Sequence, residues 1–365
     1  MRFFRSLPLR VHVGWMHLLN LEADADSITG GPASFVSPPS SPSELSVTTV
    51  TTGTEPAIHL DPIGGQAVVE GVLMRAPGRI AIAARAPDGT IAVQSRAFVP
   101  FAKRHPLLRF PVLRGAASLI EALYVGTQAL NWSAGVQEKT TEPAEELSAP
   151  TSMREKAALV GTLVISFALA LGLFQLLPYG IASLVTGGSK SHPNNPLLFN
   201  GTAGAVRISL LVVYMWALSF VPDVRRLFQY HGAEHKSIFA HESGAGLTPA
   251  AVERQTRFHP RCGTSFILIV ALVCVLFFSL FDALLANGFG YHYPNFLIRF
   301  AIHLPFVPLV AGLSFELLKL SARHQESAWM RPLILPGLWL QRITTREPDV
   351  DQIDVAIVSA KAAIA

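Results

Sequence analysis

The chain has little cysteine and little charge. Cys262 and Cys274 are the only two cysteines in 365 residues, and neither sits in a CxxC pair. This excludes a disulfide-stapled secreted scaffold and a thioredoxin-like redox motif. Asp, Glu, Lys and Arg make up 15% of the chain, well under the ~25% of an ordinary soluble domain. RNP, zinc-finger and helix-turn-helix patterns are missing as well. The net charge of +4 and the isoelectric point near 9.2 therefore need an origin other than nucleic-acid binding. What is abundant is apolar residues, which form 50% of the chain and give a mean hydropathy of +0.39. Two soluble domains would fit the length, but long uncharged runs place much of it in a bilayer instead.

Four stretches have the length and polarity of a membrane span. Residues 157–178 contain no charge, and 265–287 contain one acid, Asp282, near the far end. Residues 202–221 carry Arg207 near one end, where a long side chain can snorkel, and stop at Pro222. Residues 297–320 are interrupted by Arg299, His303, Glu316, Lys319 and two prolines, the pattern of a kinked helix facing other helices. Loop charge sets the orientation, because Lys and Arg accumulate in cytoplasmic loops. Arg154 and Lys156 abut the first stretch, and 179–201 holds only Lys190. The segment 222–264 holds Arg225, Arg226, Lys236, Arg254, Arg257 and Arg261, and the tail from 321 holds five more basic residues. Both ends and the 222–264 loop are thus expected in the cytoplasm, which accounts for the basic isoelectric point.

Between these stretches the sequence divides by composition. Residues 1–57, rich in Ser, Thr, Pro and Gly over 22–57, are expected to be a disordered lead-in. The basic N-terminus lacks the clean apolar core and cleavage site of a secretory signal. Residues 58–106 show short apolar alternations around Asp88-Gly89, a hairpin signal. Residues 107–132 have helical apolar spacing, expected to lie at the membrane interface, and a polar linker follows to 156. The tail 321–365 is expected to be a loop leading into a short helix with Glu347 and Asp349 at its start.

The residues able to carry chemistry concentrate in the 222–264 loop. On a helix, His231 and His235 are i and i+4 and project from one face, a geometry that can hold one Zn²⁺ through two imidazoles. With Glu234 they form HxxEH, the inverted counterpart of HExxH, in which the acid is the general base toward water. A catalytic zinc needs a third ligand and an open position. His259, Cys262 and Glu316 are all candidates, and the spacing leaves the choice open. Binding by His231, His235, His259 and Cys262 together would give a closed structural site. Replacement of Cys262 by Glu316 or Glu70, with water entering, would give a catalytic one. The plainer alternatives are interfacial histidines bonded to headgroups or backbone, a small buried Cys262, and a Glu70–Arg75 ion pair. Arg261 beside Cys262 favours its thiolate. Asp282 and His303 could line a polar passage. Gly64-Gly65 lacks the Lys-Ser/Thr of a phosphate loop.

Five segments together resemble the YqhQ-like family of bacterial membrane proteins. They are IGGQAVVEGVLMR at 63–75, RG at 114–115, YHGAEHK at 230–236, HPRCGTSF at 259–266 and PGLWLQRITTREPD at 336–349. The likeness runs from about Ile58 to Ala356, and the first 57 residues have no counterpart in it. The resemblance implies a metal-dependent enzyme of the inner membrane, and it carries over Gln66, Glu70, Arg75, His231, Glu234, His235, Lys236, His259, Arg261 and Cys262. The expectation is therefore an α-helical polytopic membrane protein with about four transmembrane helices and a small cytoplasmic β-hairpin-containing region. A divalent metal, zinc in the first instance, would be held by His231 and His235. Glu234 would polarise water, and Arg261 or Lys236 would stabilise an oxyanion. The partners expected are the lipid bilayer and other membrane proteins. A scaffold with a structural metal site, and a transporter using Asp282, His303 and Glu316 as a relay, are the alternatives.

Overall fold

A computed structural model describes residues 63–104, 106–138, 172–187, 195–324 and 327–365, with the strand Ser34–Val36 and a few helical positions between 161 and 169. The expected lead-in over 1–57 lies outside the described residues apart from that strand. Part of the first expected span, 157–178, chiefly its N-terminal half, and the linker 139–156 lie outside them too.

The apolar alternations near Asp88 belong to a larger unit than one hairpin. Strands β2 (Gly64–Val68), β3 (Gly71–Ala76), β4 (Arg79–Arg85) and β5 (Ile91–Ala97) form an antiparallel meander, and β1 (Ser34–Val36) pairs along the outer edge of β5. Gly89 takes φ +89° in the predicted turn, and Gly78 takes φ +87° between β3 and β4. Both conformations cost a residue with a Cβ. The β2–β3 turn places Glu70 at φ +51°, a left-handed conformation that its residue type does not advertise. The sheet is buried on both faces, which is why GVLM and RIAIAA are almost uninterrupted apolar runs. Val72, Met74, Ala81 and Ala83 face one core, and Leu73, Ile80, Ile82 and Val68 face the other.

The helices divide into those that cover the sheet and those fit for a membrane. Among the described residues, the α-helices of five or more residues are, in chain order, α1 (Pro111–Glu138), α2 (Leu177–Thr186), α3 (Pro196–Leu218), α4 (Pro222–Glu242), α5 (Pro249–Glu253), α6 (Gly263–Ala283), α7 (Phe296–His303), α8 (Val307–Arg323), α9 (Arg331–Thr344) and α10 (Val350–Ile364). Val125 and Ala129 of α1 close one face of the sheet. Tyr230 and Ala233 of α4 with Val355, Ala356 and Ala360 of α10 close the other. Each large side chain so buried contributes about 1.5–3 kcal/mol. The tail is thus a core element rather than an appendage. Its helix α10 starts at a full capping box between Asp349 and Gln352. The loop expected ahead of the tail's short helix is corrected by α9, which carries Pro336 inside it and runs to Thr344.

Three stretches among the described residues are long and apolar enough to cross a membrane: Leu197–Leu218, Gly263–Gly288 and Leu297–Ser321. They match three of the four expected spans. The last is kinked as its prolines predict, with the 3-10 turn Leu304–Phe306 joining α7 to α8. The first turns of α1 lie directly on α8. A Cβ on Gly312 would stand 2.1 Å from the Val112 carbonyl oxygen, and one on Gly115 would stand 2.6 Å from that of Gly312. Arg114 and Glu316 join the same crossing through hydrogen bonds of 2.8–3.1 Å.

At the far end of α6 lies a buried polar knot. Asp282 receives Arg299 Nη2 at 2.5 Å, Asn200 Nδ2 at 3.0 Å, Tyr293 OH at 2.6 Å and His303 Nε2 at 2.8 Å. The Arg299 guanidinium also packs over the rings of Tyr179 and Phe199, each centred 4.9 Å away. These contacts tie α2, α3, α6 and α7 together.

Candidate metal centre

The centre is built where α4 meets the start of α6. Helix α4 begins at Pro222, a residue suited to the first helical turn, and presents His231 and His235 one turn apart with ring centroids 4.4 Å from each other. The loop after α5 then returns Cys262, which occupies the N-cap of α6. Its N–H bonds the His259 carbonyl, and its own carbonyl accepts from Ser265 N at 3.1 Å. The donor atoms of His231, His235 and Cys262 all lie within 4.8 Å of one another.

Both imidazoles are oriented by backbone. His231 Nδ1 lies 2.8 Å from the Thr344 carbonyl oxygen, and His235 Nδ1 lies 2.5 Å from that of Arg257. A carbonyl can only accept, so each Nδ1 carries the proton and each Nε2 keeps its lone pair. His231 Nε2 lies 3.2 Å from Cys262 Sγ. Two donors on a tetrahedral ion with bonds of ~2.0–2.3 Å sit about 3.4–3.6 Å apart, so this pair needs only a small adjustment to share one ion. Burial and the neighbouring His231 hold the His235 imidazolium below its ordinary pKa, which favours the neutral ligand form. Burial pushes the Cys262 thiol up, but its close contacts with His235 and Thr264 outweigh burial and hold the thiol below its usual value.

Glu234 lies beside this trio without joining it. It is 5% exposed, and burial together with the neighbouring Cys262 pushes its carboxyl up to about 8, against the opposing effects of His231 and the Gly65 N–H. Gly65 is a required residue, because a Cβ there would meet the Leu73 carbonyl oxygen at 2.6 Å and Glu234 Cγ at 3.0 Å. The IGGQ segment therefore serves close backbone approach to Glu234.

The remaining expected site residues are placed elsewhere. His259 stands next to the trio, its ring centroid 5.5 Å from that of His235. Its Nδ1 accepts from Arg261 N at 3.3 Å, and its Nε2 faces Glu242 at 4.0 Å. Arg261 is ion-paired to Glu242. Lys236 is buried, donating to the Glu253 carbonyl at 2.9 Å and to Glu347 at 2.7 Å. Glu316 is engaged by Arg114 on the α1–α8 crossing. The expected Glu70–Arg75 pair is corrected as well. Glu70 takes Arg226 and Tyr230 OH, whereas Arg75 bonds Glu121 at 3.0 Å.

Sequence reasoning missed the outer supports. Gln341 is fully buried and clasps the His259 backbone both ways, accepting its N–H at 2.7 Å and donating to its carbonyl at 2.8 Å. Arg257 reaches the Thr345 carbonyl at 2.6 Å. Both bonds join the site loop to α9 across about eighty positions of sequence, and the polar QRITT run inside an apolar tail was their one visible signal.

With this geometry in place, the chain can be set beside known proteins. A family model described as "Protein of unknown function (DUF1385)" matches residues 110–365. A protein of Bacillus subtilis (strain 168) described as "Uncharacterized protein YqhQ" is 35% identical over 312 residues, covering 81% of this chain and 90% of that relative. No solved structure gives a significant match.

Proposed function

The chain belongs to the YqhQ-like DUF1385 family, and from that premise we propose a metal-dependent hydrolase of the bacterial inner membrane with its divalent-metal centre on the cytoplasmic face. The carrying observation is the donor set: His231, His235 and Cys262 converge within 4.8 Å and no fourth His, Cys, Asp or Glu among the described residues joins them. Three protein donors leave a tetrahedral ion one open position, the arrangement of catalytic rather than closed zinc sites. A bound divalent ion would supply Lewis acidity, polarising a carbonyl or phosphoryl oxygen. In its ionised form, which its raised pKa of about 8 favours only in mildly alkaline solution, Glu234 takes the proton of the attacking water and returns it to the leaving group. Arg261, next to Cys262 in the chain and partly exposed, is the cation suited to the oxyanion, where it would have to leave its Glu242 partner; Lys236 is buried and held by both Glu347 and the Glu253 carbonyl. The substrate class is an amide, ester or phosphoester. The cytoplasmic assignment follows from the six basic residues of the segment 222–264.

A second reading has its own support. His235 and Cys262 are 1% and 4% exposed, so a metal there would also staple α4 to α6, as in a scaffold for other membrane proteins. Cobalt separates the two. The Co²⁺-loaded protein should show a thiolate charge-transfer band that shifts on adding acetohydroxamate, a bidentate probe of an open position. Glu234→Gln should keep the band, and His235→Ala should lose it. A band indifferent to saturating acetohydroxamate would place the site with the structural reading.

A further inference from the structure

Helix α9 has an apolar surface that neither the sheet nor the metal centre uses. Leu335 and Trp339 are 57% and 51% exposed, and Trp329 just ahead of the helix is 64% exposed. Exposed arginines stand near both ends, Arg331 and Arg342. Exposed tryptophans flanked by arginines are the composition of a segment placed at a membrane interface. Where it meets α3, the two helices frame a groove of about 360 Å³, walled by Val212, Val213 and Trp216 of α3 and by Trp339, Arg342 and Ile343 of α9. Helix α3 is long and apolar enough to cross a membrane, so the groove opens toward lipid.

The groove has one charged wall residue, Arg342, which has no ion-pair partner among the described residues. An apolar trough ending in one cation matches an amphiphile with an acidic head. An apolar partner helix would fill the trough but bury Arg342 without an acid, a costly outcome. We propose that the groove between α3 and α9 holds one anionic phospholipid of the bilayer, its acyl chain between Trp216 and Trp339 and its phosphate on the Arg342 guanidinium. The site is adjacent to the metal centre's support, since Thr344, whose carbonyl orients His231, directly follows Ile343. It does not depend on a metal being bound.

The test uses tryptophan quenching by brominated acyl chains, with the full chain reconstituted in phosphatidylcholine vesicles. A small fraction of brominated phosphatidylglycerol is compared with the same fraction of brominated phosphatidylcholine. The anionic lipid should quench as though enriched about fivefold, the factor that ~1 kcal/mol from one basic residue at the surface gives. Arg342→Gln should abolish the preference, and Arg342→Lys should keep most of it. Replacing Trp216 and Trp339 together by Phe should remove the phosphatidylglycerol-specific part of the quenching. Equal quenching by the two lipids overturns the proposal, as does a preference that survives Arg342→Gln. Weak quenching by both lipids also overturns it, since acyl chains then do not reach Trp216 and Trp339 in the groove.

Discussion

His231 and His235 present lone pairs to a common point because each gives its Nδ1 proton to a backbone carbonyl. That orientation makes a ligand of a histidine more surely than its spacing does. The i, i+4 spacing was legible in the sequence, since a helix puts the two rings on one face. The carbonyls of Thr344 and Arg257 were not, because they arrive from distant segments of the chain. The same limit applies at Asp282. Its place with His303 near the outer half of the spans made it a possible member of a polar passage, whereas the structure surrounds it with four donors and with the Arg299 guanidinium between aromatic rings. A buried ion pair is most costly when one partner is removed. Asp282→Asn should accordingly lower stability by about 3–5 kcal/mol by leaving the arginine uncompensated. Joint replacement of Asp282 and Arg299 by Leu and Met should recover most of the loss, read as the thermal midpoint in detergent. A single variant as stable as the parent would show that the knot holds little.

At the scale of elements, the α1–α8 crossing shows how little side chain is needed for two helices to meet closely. Gly115 and Gly312 let the backbones approach, and Arg114 and Glu316 then pair at the rim. Gly312→Ala should cost about 1–3 kcal/mol, because the new methyl meets a carbonyl oxygen that cannot rotate away. Gly135→Ala on the same helix α1 is the control: nothing lies within 4 Å of its added Cβ, and it should be neutral or stabilising by up to ~1 kcal/mol through helix propensity. Thermal unfolding of both variants checks the pair of expectations. Element type was readable wherever the residues themselves fix the backbone. Asp88-Gly89 marked one turn, and the prolines of 297–320 marked the kink. The turn at Glu70 and the helix through Pro336 were not readable, because tertiary packing holds both against local preference.

The whole molecule places two polar centres at opposite ends of one helix. Cys262 caps the start of α6 and Asp282 lies near its end, about 30 Å along the axis at 1.5 Å per residue, the thickness of a hydrocarbon core. The sheet and α10 gather at the Cys262 end around α4, so the chain divides into a membrane part and a capped, sheet-containing part with the candidate centre at the seam. Composition and loop charge were enough to expect that division, since runs without charge and clusters of arginine are local properties. The same reading put the metal site where the sheet-containing part meets the membrane; what it could not give is how that seam is held, because this depends on Gln341 of α9 folding back onto the site loop. Elemental analysis of the detergent-purified full chain after zinc loading and desalting, wild type beside His231→Ala and Cys262→Ala, tests the central claim most directly. The account predicts one divalent ion per chain in the wild type and its loss in both variants, with helix content retained. A wild type without stoichiometric metal, or a His231→Ala variant that keeps it, would contradict the account.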